Sequence, residues 1–184
     1  MRGQPVLIIP GWANSGPQHW QTLWEEEHPE YRRVQQRDWE MPERADWITT
    51  LDVAIRAAPS PPILVGHSLG CIAIAHWTVE HGNRGAGRVL AALLVAPADV
   101  EAPTAPEAVH GFRPVPLAPF PFSSVLVASR TDQYVSFERA TELAQAWGSL
   151  LVDAGDAGHL NTDAGYGPWP AGERILMNLA ERVA

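Results

Sequence analysis

The sequence predicts an α/β protein, in which one parallel sheet of about six strands carries helices on both faces. Six short runs rich in Val, Leu and Ile recur along the chain, and segments with apolar residues at helical spacing lie between them. A chain of 184 residues without internal repeats or linkers usually forms one domain, so we expect a single domain over residues 1–184. Alternation of strand and helix within one domain indicates a three-layer sandwich.

The predicted strands follow from the composition of the apolar runs. Five runs are largely apolar, which is typical of strands buried on both faces of a parallel sheet. The run at 33–37 is more polar and is predicted to be an edge strand. In chain order, the six runs cover residues 6–9, 33–37, 63–65, 89–95, 125–128 and 150–152.

Helical spacing is clear in three segments between these runs. Ser15 and Gln18 have the spacing of a capping box, and Pro17 is tolerated in a first helical turn, so we expect the first helix to begin near Gly16. The apolar residues that share a helical face are Trp20, Leu23 and Trp24, then Trp47, Ile48, Leu51 and Ile55, then Leu69, Ile72, Ala73 and Trp77.

The charged residues exclude several classes of function. All 13 basic residues are arginines, and a chain without lysine cannot be a Schiff-base enzyme, a Walker A protein or a Ser-Lys hydrolase. The 21 acidic residues give a net charge of -8, which repels a nucleic-acid backbone and an anionic membrane surface. We therefore expect neither nucleic acid nor a membrane as a partner.

The single cysteine and the N-terminal residues indicate a cytoplasmic setting. Cys71 permits no internal disulfide and no cysteine-rich zinc site, which fits a reducing compartment. The first apolar run begins at Val6, which leaves no room for a signal peptide. No apolar stretch approaches the roughly 18 residues of a membrane span.

A proline-rich connection at 97–122 separates the fourth and fifth predicted strands. Proline removes a backbone donor and restricts φ, so we expect a stiff, irregular segment. It is either a long surface loop or a small lid over a pocket, since connections of this length are often functional. The side chains that would line the pocket are Phe112, Leu117, Phe120 and Phe122.

The motif that points most directly to chemistry is Gly-His-Ser-Leu-Gly at 66–70. It follows an apolar run and precedes a helical pattern, which is the strand-turn-helix context that a G-x-S-x-G nucleophile elbow requires. Such a turn holds the serine in a strained conformation at a helix N-terminus, where free N–H groups favour negative charge. We therefore predict that Ser68 is a nucleophile.

A serine nucleophile needs a histidine base and a carboxylate that orients the base. Asp132 follows the fifth predicted strand and His159 follows the sixth, in the chain order expected for this elbow. Parallel strands bring the loops after their carboxyl ends to one edge of the sheet, where Ser68 is also expected. Ser68, Asp132 and His159 are therefore the predicted triad.

Other acids and nucleophiles are weaker candidates by position. Asp99 follows the fourth strand, and Asp156 and Asp163 are sequence neighbours of the predicted base. Cys71 falls inside the helix after Ser68, where a buried apolar role is expected. No metal-binding spacing of histidine, cysteine and carboxylate occurs, so we expect neither a metal nor another cofactor.

Attack on a carbonyl creates an oxyanion that needs two N–H donors. One is predicted to be the Leu69 N–H, which directly follows the nucleophile. The other is predicted to be the Trp12 N–H, in the loop after the first strand, because Gly11 allows a sharp turn there. The substrate pocket is predicted to be lined by Gly11, Phe112, Phe120 and Phe122.

These features resemble the small α/β-hydrolase-like serine hydrolases that include the retinoblastoma-binding protein nine group and the bacterial YdeN-like proteins. The resemblance spans nearly the whole chain and is most specific around the predicted base. The matching residues are Pro10-Gly11-Trp12 with Ser15, His19 and Trp20, the elbow at 66–70, the string at 132–135, and Gly158-His159-Leu160-Asn161 with Gly167-Pro168-Trp169-Pro170 and Gly172.

The resemblance implies a compact α/β-hydrolase-like fold that lacks the first two strands of larger relatives. It also implies metal-free hydrolysis of esters or amides by Ser68, Asp132 and His159, with aminopeptidase-like activity proposed for some members. The vertebrate Leu-x-Cys-x-Glu sequence associated with retinoblastoma binding is absent, since Ala73 stands where glutamate would be. We therefore do not expect that binding here.

The predicted function is hydrolysis of an ester or amide bond of a small substrate through an acyl-enzyme intermediate. A binding or scaffold module with a silent triad is an alternative, although such a module has no need of the three residues. A serine transferase shares the first half-reaction and stays open. Without lysine, a substrate carboxylate would have to be bound by arginine, and Arg130 is the nearest candidate in the sequence.

Overall fold

A computed structural model describes residues 3–85 and 87–183 of the chain. The described residues form six strands and five α-helices, and an α-helix follows every strand except β4; short 3-10 helices lie at Glu107–Phe112 and Thr162–Ala164. The strands are β1 (Val6–Ile9), β2 (Tyr31–Arg33), β3 (Ile63–His67), β4 (Ala91–Val95), β5 (Ser123–Ala128) and β6 (Leu150–Asp153). The helices are α1 (Trp20–Glu27), α2 (Arg44–Ala57), α3 (Leu69–Gly85), α4 (Phe137–Trp147) and α5 (Pro170–Val183).

The strands form one parallel sheet in the order β2-β1-β3-β4-β5-β6. This confirms the predicted fold class. β2 lies on one side of β1, whereas β3 and the later strands lie on the other side. The strand order therefore reverses at β1. Parallel sheets bind ligands outside the carboxyl ends of their strands at such a point, where the loops after β1 and β3 meet.

Alternate residues of each strand pack on opposite faces of the sheet, as the two-residue period of a strand requires. In β1, Leu7 and Ile9 join a core formed with α2, α3 and α4. Val6 and Ile8 join a second core, formed with α1 and α5. The sheet is therefore the middle layer of three, which explains why its central strands are apolar throughout.

β2 lies at an edge of the sheet, as predicted, but the bounds of β2 and the burial of β6 differ from the sequence prediction. β2 covers Tyr31–Arg33 and not 33–37, because the chain leaves the sheet after Val34, whose N–H donates to the Ile8 carbonyl at 2.9 Å. β6 was expected to be a buried strand, yet it pairs only with β5 and its Leu150 is half exposed. An apolar run indicates a strand, but it does not say how many neighbours the strand has.

α1 begins at Trp20 and not near Gly16. The imidazole Nδ1 of His19 accepts a hydrogen bond from the Gln21 N–H at 3.2 Å and so caps the helix. The Ser15 hydroxyl instead donates to Gln21 Oε1 at 2.7 Å. Because a side chain inside the helix occupies that hydroxyl, Ser15 does not act as the cap.

No helix within residues 3–85 and 87–183 is long and apolar enough to cross a membrane.

Candidate active site

A cleft of about 470 Å³ lies at the carboxyl ends of the strands. Its walls come from the loops after β1, β3, β4, β5 and β6, so five separate connections meet there. Ser68 and His159 both line the cleft, whereas Asp132 is bonded to His159 and is not part of the lining. The structure thus brings together the three residues of the predicted triad.

Ser68 occupies a strained turn between β3 and α3. Its φ is +53°, in the left-handed region that non-glycine residues seldom adopt. The Ser68 N–H donates to the Val95 carbonyl at 3.0 Å, and the Cys71 N–H donates to the Ser68 carbonyl at 3.0 Å. Because α3 begins at Leu69, the N-terminus of this helix lies next to the serine.

Two glycines let the loop after β1 approach this turn. A Cβ at Gly11 would lie 2.8 Å from the Ser68 Cβ and 3.3 Å from the Leu69 nitrogen. A Cβ at Gly70 would lie 2.8 Å from the Pro10 carbonyl oxygen. A side chain at either position would therefore separate the two backbone segments, and the absence of one keeps them in direct contact.

His159 and Asp132 form a buried pair beside the serine. The imidazole Nδ1–H donates to the carboxylate, with Nδ1 2.8 Å from Oδ2 and 3.0 Å from Oδ1. The Tyr134 ring packs edge-on against the imidazole, with centroids 4.5 Å apart, and the Tyr134 N–H donates to Asp132 Oδ1 at 2.8 Å. Within the described residues no hydrogen bond joins Ser68 to His159, and such contacts commonly tighten when substrate binds.

Two hydroxyl groups tie the aspartate loop to the histidine loop. Ser129 Oγ accepts from the Ala157 N–H at 2.9 Å and donates to the Gly155 carbonyl at 3.2 Å. Thr131 Oγ1 accepts from the Gly158 N–H at 3.1 Å. These bonds hold the two loops side by side, and they explain why residues 27 positions apart meet within hydrogen-bond distance.

His67 lies buried below the base. Its Nε2–H donates to the His159 carbonyl at 2.9 Å, since a carbonyl oxygen can only accept. Burial, followed by the nearby charges of His159 and His19, lowers the pKa of His67 well below its ordinary value. His67 is therefore a neutral donor that anchors the backbone of the base.

His19 belongs to the same group of rings. Its ring centroid lies 4.9 Å from that of His67, which in turn lies 4.8 Å from that of His159. Burial, with smaller contributions from Arg33 and His159, lowers the pKa of His19 to about 4. His19 lines the cleft, and its Nε2 is buried and has no hydrogen-bond partner among the described residues.

Two backbone donors are free where an oxyanion would form. In the described part of the chain, neither the Trp12 N–H nor the Leu69 N–H donates a hydrogen bond, and both residues line the cleft. The Trp12 ring is partly exposed at the cleft, and its Nε1–H donates to the Glu40 carbonyl at 2.9 Å. Gly11, the residue before Trp12, comes so close to the elbow that a Cβ there would lie 3.3 Å from the Leu69 nitrogen.

Arg33 secures the loop that carries Trp12. Its side chain is 8% exposed and pairs with Glu25, with Nε 2.9 Å from Oε2. The same guanidinium donates to Asn14 Oδ1 at 2.9 Å, to the Ser15 carbonyl at 3.0 Å and to Thr22 Oγ1 at 2.7 Å. It therefore supports a loop in which Asn14 has a φ of +64°.

The first half of the proline-rich connection forms one wall of the cleft. The segment therefore contributes to the pocket lining, which one of the two interpretations of the sequence expected. The side chains that it contributes are mostly small aliphatic ones and not the expected phenylalanines. Leu117 does not line the cleft and is half exposed. The apolar lining from this connection is Ala98, Val100, Ala102, Ala105, Pro106 and Val109.

The phenylalanines that were expected to line the pocket lie elsewhere. Phe112 is fully buried and packs edge-on against Trp47, with centroids 5.6 Å apart. Phe120 stacks on Trp147 at 5.3 Å, and Phe122 packs on Phe120 at the same distance. Large rings gain more free energy in the core between the sheet and its helices than at an open cleft, which corrects this expectation.

The rival acids occupy other positions. Asp99 lines the cleft but faces Arg139, with Arg139 Nε 3.7 Å from its Oδ1. Asp156 and Asp163 are exposed, and neither is bonded to His159. The carboxylate that contacts the histidine is Asp132.

Two further sequence candidates can be placed. Cys71 is buried in α3, where burial raises the pKa of its thiol, so it is not poised to be a nucleophile. Arg130 does not line the cleft, and its guanidinium pairs with Asp153 at 2.6 Å. Arg130 is therefore not placed to bind a substrate carboxylate in the cleft, contrary to the role suggested from the sequence.

One group of side chains in the described residues could offer three ligand atoms to a metal ion. It consists of Glu27, His28 and Glu173, on α1 and α5, and lies outside the cleft lining. His28 Nε2 and Glu173 Oε1 already pair at 3.0 Å. This group takes no part in the chemistry of the cleft.

Sequence reasoning missed the residues that support the site. Arg33 was predicted only to lie in an edge strand. His19 was recognised as part of the family motif but was given no role. Ser129 and Thr131 precede Asp132 in a loop whose partner loop the sequence does not reveal. The string around Asp132 that carried the family resemblance was a signal for Tyr134, since it extends through that residue.

Comparison with solved structures supports both the fold and the family. A protein described as a YdeN-like hydrolase, from Pectobacterium atrosepticum, is 32% identical with a TM-score of 0.85, over 99% of this chain and 93% of that chain. The ydeN gene product of B. subtilis is 24% identical with a TM-score of 0.79, over 97% and 99%. Esterase RhEst1 from Rhodococcus sp. shares the fold at 13% identity and a TM-score of 0.66, over 97% and 91%.

No curated protein matches the chain. A family model described as serine hydrolase matches residues 6–178, which is most of the chain and includes the elbow, the aspartate loop and the histidine loop. This agrees with the resemblance drawn from the motifs alone. The chain belongs to the serine hydrolase family.

Proposed function

We propose that this hydrolase cleaves an ester or amide bond of a small substrate through an acyl-enzyme intermediate. His159 Nε2 takes the proton of Ser68 Oγ as the oxygen attacks the substrate carbonyl carbon. The bond to the leaving group then breaks, and His159 passes the proton to the departing oxygen or nitrogen. Water attacks the acyl-enzyme next, its proton goes to His159, and Ser68 regains a proton as the acid departs.

The observation that carries this proposal is the bond that joins Asp132 to His159, which lines the same cleft as Ser68. Donation from Nδ1–H to the carboxylate leaves the lone pair of the neutral imidazole on Nε2, the nitrogen that must accept the serine proton. Asp132 also stabilises the imidazolium that forms during each transfer. A histidine without this partner would populate the wrong tautomer part of the time.

The Leu69 and Trp12 N–H groups are the proposed donors to the oxyanion. Both are free in the described residues, and Gly11 brings the Trp12 peptide against the turn that carries Leu69. Donors that are already in place at the developing charge need no reorganisation during the reaction. The dipole of α3, which begins at Leu69, adds to their effect.

The lining of the cleft favours a short apolar acyl group. Apart from Asp99 and Thr104, the wall from the proline-rich connection presents small aliphatic side chains, which match an aliphatic acyl chain. Within the described residues no phenylalanine of this connection lines the cleft, so this wall offers no phenyl ring on which an aromatic acyl group could stack. We therefore expect acetyl to hexanoyl esters to react better than long-chain or aromatic ones.

Labelling with a fluorophosphonate tests the nucleophile. The wild-type protein should be modified once, at Ser68, and the Ser68→Ala variant should stay unlabelled. Turnover is then measured on p-nitrophenyl esters of rising chain length and on aminoacyl nitroanilides, with Ser68→Ala as the control. A folded wild-type protein that is neither labelled nor faster than this control would refute the proposal and favour a scaffold role.

A further inference from the structure

The hydrogen bonding of His19 decides where its proton lies. Nδ1 accepts a hydrogen bond from the Gln21 N–H at 3.2 Å, so this nitrogen carries a lone pair. The ring is neutral near pH 7, since burial lowers its pKa to about 4. A neutral imidazole has one N–H, which must therefore be on Nε2.

This Nε2–H is a donor without an acceptor. His19 is 5% exposed and Nε2 itself is buried, yet no acceptor within the described residues binds it. Leaving a buried donor unpaired destabilises a protein, and such groups often mark a functional site. The only other unpaired buried side-chain atom found in the described residues is Oε1 of Gln36, which does not line the cleft.

His19 lines the cleft on the side of the base, because its ring packs against His67 and His67 packs against His159. The base has to pass its proton to the leaving atom, so the leaving group lies next to His159. The rings of His19 and His159 flank His67 at 4.9 and 4.8 Å, and a charge on His159 helps to lower the pKa of His19. The apolar wall belongs to the opposite side of the sheet, since Val100 and Val109 join the core of α2, α3 and α4.

The charges around the cleft restrict the acceptor that His19 can bind. Asp99 and Asp163 line the cleft, and no arginine is among the lining residues in the described part of the chain. An anionic substrate group would meet these carboxylates and no arginine of the described lining, and Arg33, whose charge helps to lower the pKa of His19, is already paired with Glu25. A neutral oxygen, such as that of an ether, a hydroxyl or a carbonyl, accepts from Nε2–H without this repulsion.

We propose that His19 Nε2–H donates a hydrogen bond to a neutral oxygen in the leaving-group half of the substrate. His19 is then a specificity-determining residue, and the preferred substrates are esters of oxygen-bearing alcohols, such as glycol and glycerol monoesters. The inference rests on the proposed function, because it takes its orientation from Ser68 and His159. It adds to that function the chemical class of the leaving group.

Two isosteric esters test the inference. In 2-methoxyethyl butyrate an ether oxygen replaces one methylene of n-butyl butyrate, and the acyl group is the same. The wild-type protein should hydrolyse the methoxyethyl ester with a kcat/KM about tenfold higher, since only this ester satisfies the buried donor. Equal kcat/KM values for the two esters would overturn the inference.

Two substitutions separate the donor from the helix cap. His19→Asn keeps an oxygen that can cap α1 at the Gln21 N–H, but its amide is too short to replace Nε2–H. The preference should fall to about onefold in this variant. His19→Gln places an amide N–H at the depth of Nε2 and should recover part of the preference. A preference unchanged in His19→Asn would assign it to another residue and overturn the inference.

Labelling and binding distinguish this inference from the proposed function. A wild-type protein that reacts with fluorophosphonate but shows no preference refutes the role of His19 alone. If the wild-type protein does not turn over, the proposed function fails, and binding of the two esters by thermal shift still tests His19. Tighter binding of the methoxyethyl ester in wild type and not in His19→Asn supports the role, and equal binding overturns it.

Discussion

Replacing Gly11 by alanine would place a methyl group between the two halves of the proposed oxyanion site. The new Cβ would lie 2.8 Å from the Ser68 Cβ and 3.3 Å from the Leu69 nitrogen. Ordinary contacts begin at 3.4 Å, so the loop after β1 and the elbow must separate by about 0.6 Å. The methyl group would also cover the approach to the Leu69 N–H.

The cost should fall on catalysis more than on stability. A displacement of this size moves the Trp12 N–H away from the oxyanion, and loss of one such donor lowers kcat about 100-fold to 1000-fold. We therefore expect a kcat roughly 100-fold below that of wild type. Overpacking of this kind destabilises a protein by about 1 to 3 kcal/mol, which leaves a typical domain folded.

The assay measures kcat and KM for p-nitrophenyl butyrate, together with the melting temperature. Gly111→Ala is the matched control, because a Cβ there meets no atom within 4 Å and Gly111 does not line the cleft. The control should keep wild-type kcat. A folded Gly11→Ala protein with kcat within threefold of wild type would refute the reasoning about this contact.

Three further predictions follow from buried polar groups. Asp132→Asn should lower kcat about 1000-fold to 10,000-fold, because the imidazole loses its tautomer control, and a larger loss of kcat in Asp99→Asn would contradict the assignment. Arg33→Gln should lower the free energy of unfolding by about 2 to 4 kcal/mol in urea titrations and also reduce kcat, since it leaves Glu25 unpaired and frees the oxyanion loop. The pKa of His19 is about 4 in the folded protein and 6.5 in the unfolded chain, so the unfolded chain binds the proton first as the pH falls. The His19 contribution to the free energy of unfolding is therefore fully present above pH 6.5 and falls by roughly 3 kcal/mol as the pH drops to about 4. In urea titrations from pH 7 to 4, His19→Asn should lose less free energy of unfolding than the wild-type protein. Equal losses in the two proteins would contradict this prediction.

The fold class could be predicted because strand and helix periodicity are local properties of the chain. The apolar runs at 6–9 and 125–128 lie in strands, and the more polar run at 33–37 correctly predicted an edge strand, although β2 covers Tyr31–Arg33. The run at 150–152 lies in β6, which was expected to be buried and is the other edge strand. Edge and centre differ in the number of neighbouring strands, which composition records only indirectly. The start of α1 was misplaced because the hydroxyl of Ser15 has two alternative partners, and folding selects the side chain of Gln21.

In the candidate site, too, the motif positions could be predicted from the sequence and the side-chain directions could not. Motif spacing placed Ser68, Asp132 and His159 on loops at one sheet edge, and chain order assigned their roles. The pocket lining was predicted from aromatic content, yet Phe112 and Phe120 turn into the core. Spacing does not define side-chain direction in a proline-rich segment that has no regular period.

The sequence by itself determined the order of strands and helices, the elbow and the family, since these depend on residue type at short and regular separations. Only the tertiary structure decided which carboxylate meets His159, which side chains line the cleft, and that the Nε2–H of His19 has no partner within the described residues. Those features arise where loops distant in sequence pack together. The physical reason is that hydrogen-bond satisfaction and burial depend on all neighbours in space, whereas sequence patterns report only neighbours along the chain.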